Sequence, residues 1–157
     1  MVDGRPLLAT DVPGETGSPY PEPFASRASS TAFRRLGDRF GLTQLGVNMI
    51  TLDPGAQSGL RHWHTLEDEF IYVLEGELTL RTDAGDALLR AGMCVGFKAG
   101  DRNAHLVLNP GAAVAHYLIM GSRAPGDVSF YPDDDLAWLP VADGDTPVHK
   151  DGSPYGA

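Results

Sequence analysis

Disulfide chemistry within the chain is excluded at the outset, because Cys94 is its only cysteine. That usage is what a reducing cytoplasm favours. Positive charge is also scarce. Twelve Lys and Arg stand against 21 Asp and Glu, a formal net charge of −9, which repels phosphate backbones and anionic lipid and argues against nucleic-acid or membrane-surface partners. No apolar run approaches the length of a membrane-spanning helix, and the opening MVDGRPLLATDVPG lacks the apolar core of a signal peptide. The expectation is a cytoplasmic protein. Long helical patterns are missing as well, so a parallel sheet connected by helices is excluded.

Glycine and proline are plentiful instead, with 19 and 12 residues. Short β-branched and aromatic runs separated by Gly-centred turns recur about every ten residues, which indicates an all-β sandwich or barrel. With 157 residues, 42% of them apolar, one domain with a real core is the prior. Residues 1–40 read as an extended N-terminal arm. Five prolines before residue 30 forbid a helix through it; the arm is either disordered or pinned along the barrel by Tyr20 and Phe24. Phe33, Leu36 and Phe40 suit a short helical turn. Residues 41–122 carry the strand-like runs. Residues 123–157, rich in Pro, Gly and Asp, read as a C-terminal tail packing on the barrel through Phe130–Tyr131 and Leu136–Leu139, with the acidic triplet Asp133–Asp135 as a solvated turn and His149 exposed.

The chemistry concentrates between Gly55 and Gly76. His62 and His64 are two apart, so in a strand both side chains share one face and Trp63 points the other way. Glu69 opens the strand-like run EFIYVLEG, in which Ile71 and Val73 share its inward phase. Phe70, Tyr72 and Leu74 face outward and are equally apolar, which suggests a homodimer interface or cover by the arm. A second stretch, Gly92 to Gly111, adds His105 and Asn109. Three imidazoles and a carboxylate suit a divalent transition metal such as Fe, Mn, Ni, Co or Zn. The strand after His105 is expected to turn at Pro110–Gly111 and return as a hairpin, pairing His105 with His116 or Leu118. That register turns His116 inward as a pocket-wall residue. Cys94 is expected as buried, inert packing.

The run Gly55…His62-x-His64-x4-Glu69-x6-Gly76, followed by Gly92…Gly100…His105-x3-Asn109, resembles the paired motifs of the cupin superfamily over residues 42–122. Departures from the usual pattern, such as Lys98 in place of Pro, lie in turns. The resemblance implies a double-stranded β-helix (jelly-roll) barrel, one metal, and His62, His64, Glu69 and His105 as its ligands. Four protein ligands leave open positions on an octahedral ion, the mark of a catalytic site. Dioxygenase-type chemistry on a small organic molecule is the first expectation. A metal-dependent lyase, isomerase or cyclase is the alternative, as is a barrel that only binds a small molecule. The catalytic residues stay open.

Overall fold

The computed structural model describes residues 4–28, 31–141 and 144–155. Thirteen strands make up nearly all of its regular structure: β1 Glu15–Thr16, β2 Thr31–Arg35, β3 Leu45–Leu52, β4 Trp63–His64, β5 Glu69–Glu75, β6 Glu77–Thr82, β7 Gly85–Arg90, β8 Cys94–Phe97, β9 Leu106–Leu108, β10 Ala115–Ser122, β11 Ser129–Tyr131, β12 Leu136–Val141 and β13 Gly144–Val148. A single helical turn, α1 Leu36–Arg39, follows β2. None of the helices is long and apolar enough to cross a membrane, among the described residues.

The strands form a six-stranded sheet in the order β1-β2-β3-β10-β5-β8, a three-stranded sheet β7-β6-β9 and a four-stranded sheet β13-β12-β11-β4. Strand β3 lies between β2 and β10, and its successive residues Met49 and Ile50, which point to opposite faces, are both buried, in keeping with a sequence apolar on both sides. The inward residues of the six-stranded sheet, Ile50, Leu52, Ile71, Val73 and Tyr117, meet Leu78, Leu80, Leu89 and Val107 of the three-stranded sheet in the main core. Each loses nearly all its solvent contact, the dominant favourable term in folding.

Two of the crossings that carry the chain between these sheets position the site. At Gly76, between β5 and β6, the backbone has a φ of 86° and a Cβ would lie 2.7 Å from the Ala115 Cβ. Only glycine satisfies both demands. The second crossing corrects the expected hairpin after His105. Strand β9 pairs with β6, not with β10, and β10 pairs with β3 and β5. Asn109 sustains this crossing from full burial. Its amide donates to Leu52 O at 2.8 Å and Ala113 O at 2.9 Å, and its Oδ1 accepts from Gly111 N. A hairpin reading could not foresee it, because a side chain replaces the turn's own backbone bonds.

The flanking segments supply strands of their own. The arm adds β1 and β2 to the edge of the six-stranded sheet, and places Tyr20 and Phe24 against Leu60, Tyr131 and Leu136 in a second core. Phe33 therefore lies in a strand rather than the expected helical turn. The segment expected as a tail supplies β11, β12 and β13, and β4 pairs directly with β11. Its acidic triplet is tied down by side-chain partners: Arg61 reaches Asp133 at 2.7 Å, Arg27 meets Asp134, and His149 Nδ1 lies 2.8 Å from Asp135 Oδ2. Cys94 is exposed rather than buried, because it pairs with Tyr72 on the outward phase of β8. The row Phe70, Tyr72 and Leu74 also stays exposed, at 40%, 39% and 42%; the arm lies elsewhere.

Candidate metal centre

The site begins with a backbone bridge. His62 N donates to His105 O at 3.1 Å and His105 N to His62 O at 2.8 Å, so the two histidines face each other across neighbouring chain segments, with ring centroids 4.9 Å apart. His64 follows on the same face. Trp63 turns away and stacks on Phe130 at 5.1 Å. Glu69 arrives from the six-stranded sheet, in phase with buried Ile71 and Val73.

These elements bring the four residues singled out in the sequence together. The Nε2 atoms of His105, His64 and His62 lie 2.7, 3.6 and 3.9 Å from Glu69 Oε2. Glu69 Oε2 and His105 Nε2 are both buried, yet neither has a hydrogen-bond partner; their approach lacks hydrogen-bond geometry. One atom each from His62, Glu69 and His105 lies within 4.8 Å of the others, a spacing that could hold a cation, and His64 Nε2 flanks this group, 3.6 Å from Glu69 Oε2. Unpaired buried acceptors are costly otherwise. The donor set, three nitrogens and one oxygen, could hold a divalent transition metal.

The outer surroundings hold the rings in place. His62 Nδ1 donates to Leu60 O at 2.8 Å, which leaves Nε2 as the acceptor facing the centre. Phe97 stacks on His105 with centroids 3.6 Å apart, and Tyr131 stacks on His62 at 5.5 Å. His64 Nδ1 lies 2.6 Å from Asp127 Oδ2 and 3.1 Å from Ser129 Oγ. Burial, only partly offset by Glu69, pushes His62 down to about 4. For Glu69, burial is the largest influence and acts upward, but His105 and the other imidazoles outweigh it and take the carboxyl down to about 2.

The cluster opens into a cleft of about 580 Å³, whose walls include Glu67, Arg35, Arg123 and Asn48. A second cavity of about 490 Å³ under the arm shares Tyr20, Phe33, Arg35 and Ser58 with it. The floor beside the cluster is a cross-strand glycine pair, Gly46 and Gly121. A Cβ on Gly121 would lie 3.7 Å from Glu67 Oε2 and 3.9 Å from Glu69 Cγ, and one on Gly46 would lie 3.6 Å from Arg123 Nε. The missing side chains keep open the space between two carboxylates and a guanidinium. Glu67 Oε1 accepts from Ala124 N at 3.0 Å, and burial raises its carboxyl above the usual range.

His116 does not join this site. It pairs with Thr51 and, at a bulge in the ladder, with Glu75, and its Nδ1 lies 3.1 Å from Thr51 Oγ1. Neighbouring Tyr117 takes the inward phase and full burial. The expected inward register fails with the hairpin on which it rested. Conversely, Glu67 and Asp127 lie at the site although the sequence singled out neither. Glu67 sits in the loop between β4 and β5, and Asp127 in a Pro- and Gly-rich segment, where neither strand phase nor motif spacing marks a residue.

The cupin-domain family matches residues 48–121. A crystal structure described as a sugar phosphate isomerase from a cupin superfamily, from Silicibacter pomeroyi DSS-3, is 39% identical, with a TM-score of 0.92 and 98% of each chain covered. A protein from Acidithiobacillus ferrooxidans ATCC 23270, given the same activity as a conjecture, is 28% identical over 81% of each chain, with a TM-score of 0.72. The polyketide cyclase RemF from Streptomyces resistomycificus shares the fold, with a TM-score of 0.63 at 21% identity over 78% of this chain and 82% of its own. No curated protein matches by sequence. The fold, the paired motifs and the near-complete alignment with a 39% identical relative place this chain in the cupin superfamily.

Proposed function

We propose that this protein is a metal-dependent isomerase of a small phosphorylated sugar, with His62, His64, Glu69 and His105 holding one divalent transition metal. The observation that carries the reading is the company this cluster keeps: one cleft is lined by His62, His64 and Glu69, a second carboxylate on Glu67, and the guanidiniums of Arg35 and Arg123, with His105 buried behind Glu69. The 39% identical relative described as a sugar phosphate isomerase supports it.

A metal so held would supply Lewis-acid polarisation of a sugar carbonyl oxygen. The remaining work falls to side chains. Arg123 is anchored by Asp38 and by Leu42 O, and Arg35 by both oxygens of Glu15. Guanidiniums held in this way offer a phosphate a preorganised fork. Glu67 stands across the glycine floor from Glu69 and is assigned the proton shuttle: its carboxylate takes the proton from the carbon next to the carbonyl and returns it to the former carbonyl carbon, while the proton of the adjacent hydroxyl passes to the former carbonyl oxygen. Isomerisation needs no other reactant. The sequence showed no base on the inward strand phase besides His116, and Glu67 fills that role from a loop. Dioxygenase-type chemistry, the first expectation of the sequence, finds no support in the side chains around the cluster or in the relatives.

The test is incubation of the metal-loaded protein with a panel of small aldose and ketose phosphates in heavy water, followed by NMR. Interconversion with deuterium entering the carbon next to the carbonyl is expected, and Glu67→Gln should slow it by about 10²–10⁴-fold while keeping the metal. Absence of both interconversion and exchange overturns the reading, and oxygen uptake on adding small enols or catechols would return it to oxygenase chemistry.

A further inference from the structure

The cupin-domain match ends at residue 121, yet a carboxylate six residues beyond it reaches into the site. Asp127 Oδ2 lies 2.6 Å from His64 Nδ1. Its other oxygen, Oδ1, accepts from Leu66 N at 2.7 Å, Glu67 N at 3.2 Å and the Thr65 hydroxyl at 3.1 Å. Two further bonds tie the same segments together, Thr65 N to Val128 O and Val128 N to Thr65 Oγ1. One side chain therefore binds a ligand ring with one oxygen and, with the other, the loop that carries Glu67.

We infer that Asp127 is a positioning residue: its Oδ2 accepts the Nδ1–H of His64, so that the lone pair on Nε2 is aimed at Glu69 and the other donors. The inference rests on the reading of His64 as a metal ligand. An ionised carboxylate only accepts hydrogen bonds, so the contact selects one of two neutral tautomers. The selected one presents Nε2 as a donor atom toward the cluster, 3.6 Å from Glu69 Oε2. His62 reaches the same state through Leu60 O. Partners of this kind orient the ring and raise its basicity as a ligand. Ser129 Oγ, 3.1 Å from the same nitrogen, is neutral and can rotate, so it does not impose the choice.

Asp127→Asn separates this role from a purely structural one. The amide oxygen can still accept from Leu66 and Glu67 N–H, whereas the amide NH₂ stands where Oδ2 stood and donates to Nδ1. His64 must then carry its proton on Nε2. Imidazole ¹⁵N NMR of the metal-free full chain, above the pH at which the ring is charged, reads this directly. Wild type should show His64 protonated on Nδ1 and Asp127→Asn on Nε2. Affinity for Zn²⁺ or Mn²⁺ alone, measured by chelator competition, should fall about 10–100-fold in the variant. Ser129→Ala should leave the tautomer unchanged. A wild-type His64 protonated on Nε2 overturns the inference whether or not the variant folds. So does a folded variant with the wild-type tautomer or with affinity within about twofold. None of these readouts depends on turnover, so their failure is distinct from failure of the isomerase reading.

Discussion

Leu136→Ala tests whether the C-terminal strands belong to the same cooperative unit as the metal cluster. Leu136 is completely buried, in a core shared with Phe24 of the arm, Leu60 just before the first histidine, and Tyr131, which stacks on His62. Truncating a fully buried leucine removes its transfer free energy and leaves a cavity, at a cost of about 2–5 kcal/mol. Four different segments line this site, so collapse around the cavity is limited and about 3 kcal/mol is the working figure. For a domain of this size that loss lowers Tm by about 6–12 °C. Calorimetry and circular dichroism of the metal-free protein should show one transition, displaced as a whole. The loosened Tyr131 stack should also weaken metal binding. A shift below about 2 °C, or two transitions with the larger unmoved, would refute the reasoning and restore the segment to a tail.

Two other perturbations have definite signs. His116→Ala removes one hydrogen bond, to Thr51, and should cost about 1 kcal/mol while leaving metal content and turnover unchanged; loss of metal in this variant would contradict its outward register. The metal-free protein should gain stability as pH rises from about 2 to 6.5. His62 is lowered from 6.5 to about 4 and Glu69 from 4.5 to about 2, so across that window the unfolded chain binds more protons than the folded one. Urea titrations of chelator-treated protein at a series of pH values measure this, and a flat or falling profile would count against the geometry of the cluster.

The reach of the sequence follows the range of each signal. Strand phase placed Glu69 with Ile71 and Val73, and motif spacing singled out the three histidines whose Nε2 atoms lie within 3.9 Å of Glu69 Oε2. Both are local patterns. The hairpin after His105 failed because a tight turn and a crossing between sheets look alike around Pro110–Gly111, and a buried Asn109 side chain decides between them. His116 was misplaced with it. The arm and tail were read by composition, which registers Pro, Gly and Asp but not the strand partners that order them. Glu67 and Asp127 were invisible for the same reason: a loop carboxylate acquires its role only from what folds against it, here Ala124 N, the glycine floor and His64.

The metal content of anaerobically purified protein, measured by elemental analysis beside Glu69→Ala, tests the central claim most directly. Glu69 Oε2 is the atom on which all three imidazoles converge. The account predicts about one divalent transition metal per chain in the wild type, and in the variant a folded, β-rich protein that holds none. A full complement of metal in Glu69→Ala, or a wild type that neither carries nor takes up metal, would contradict it.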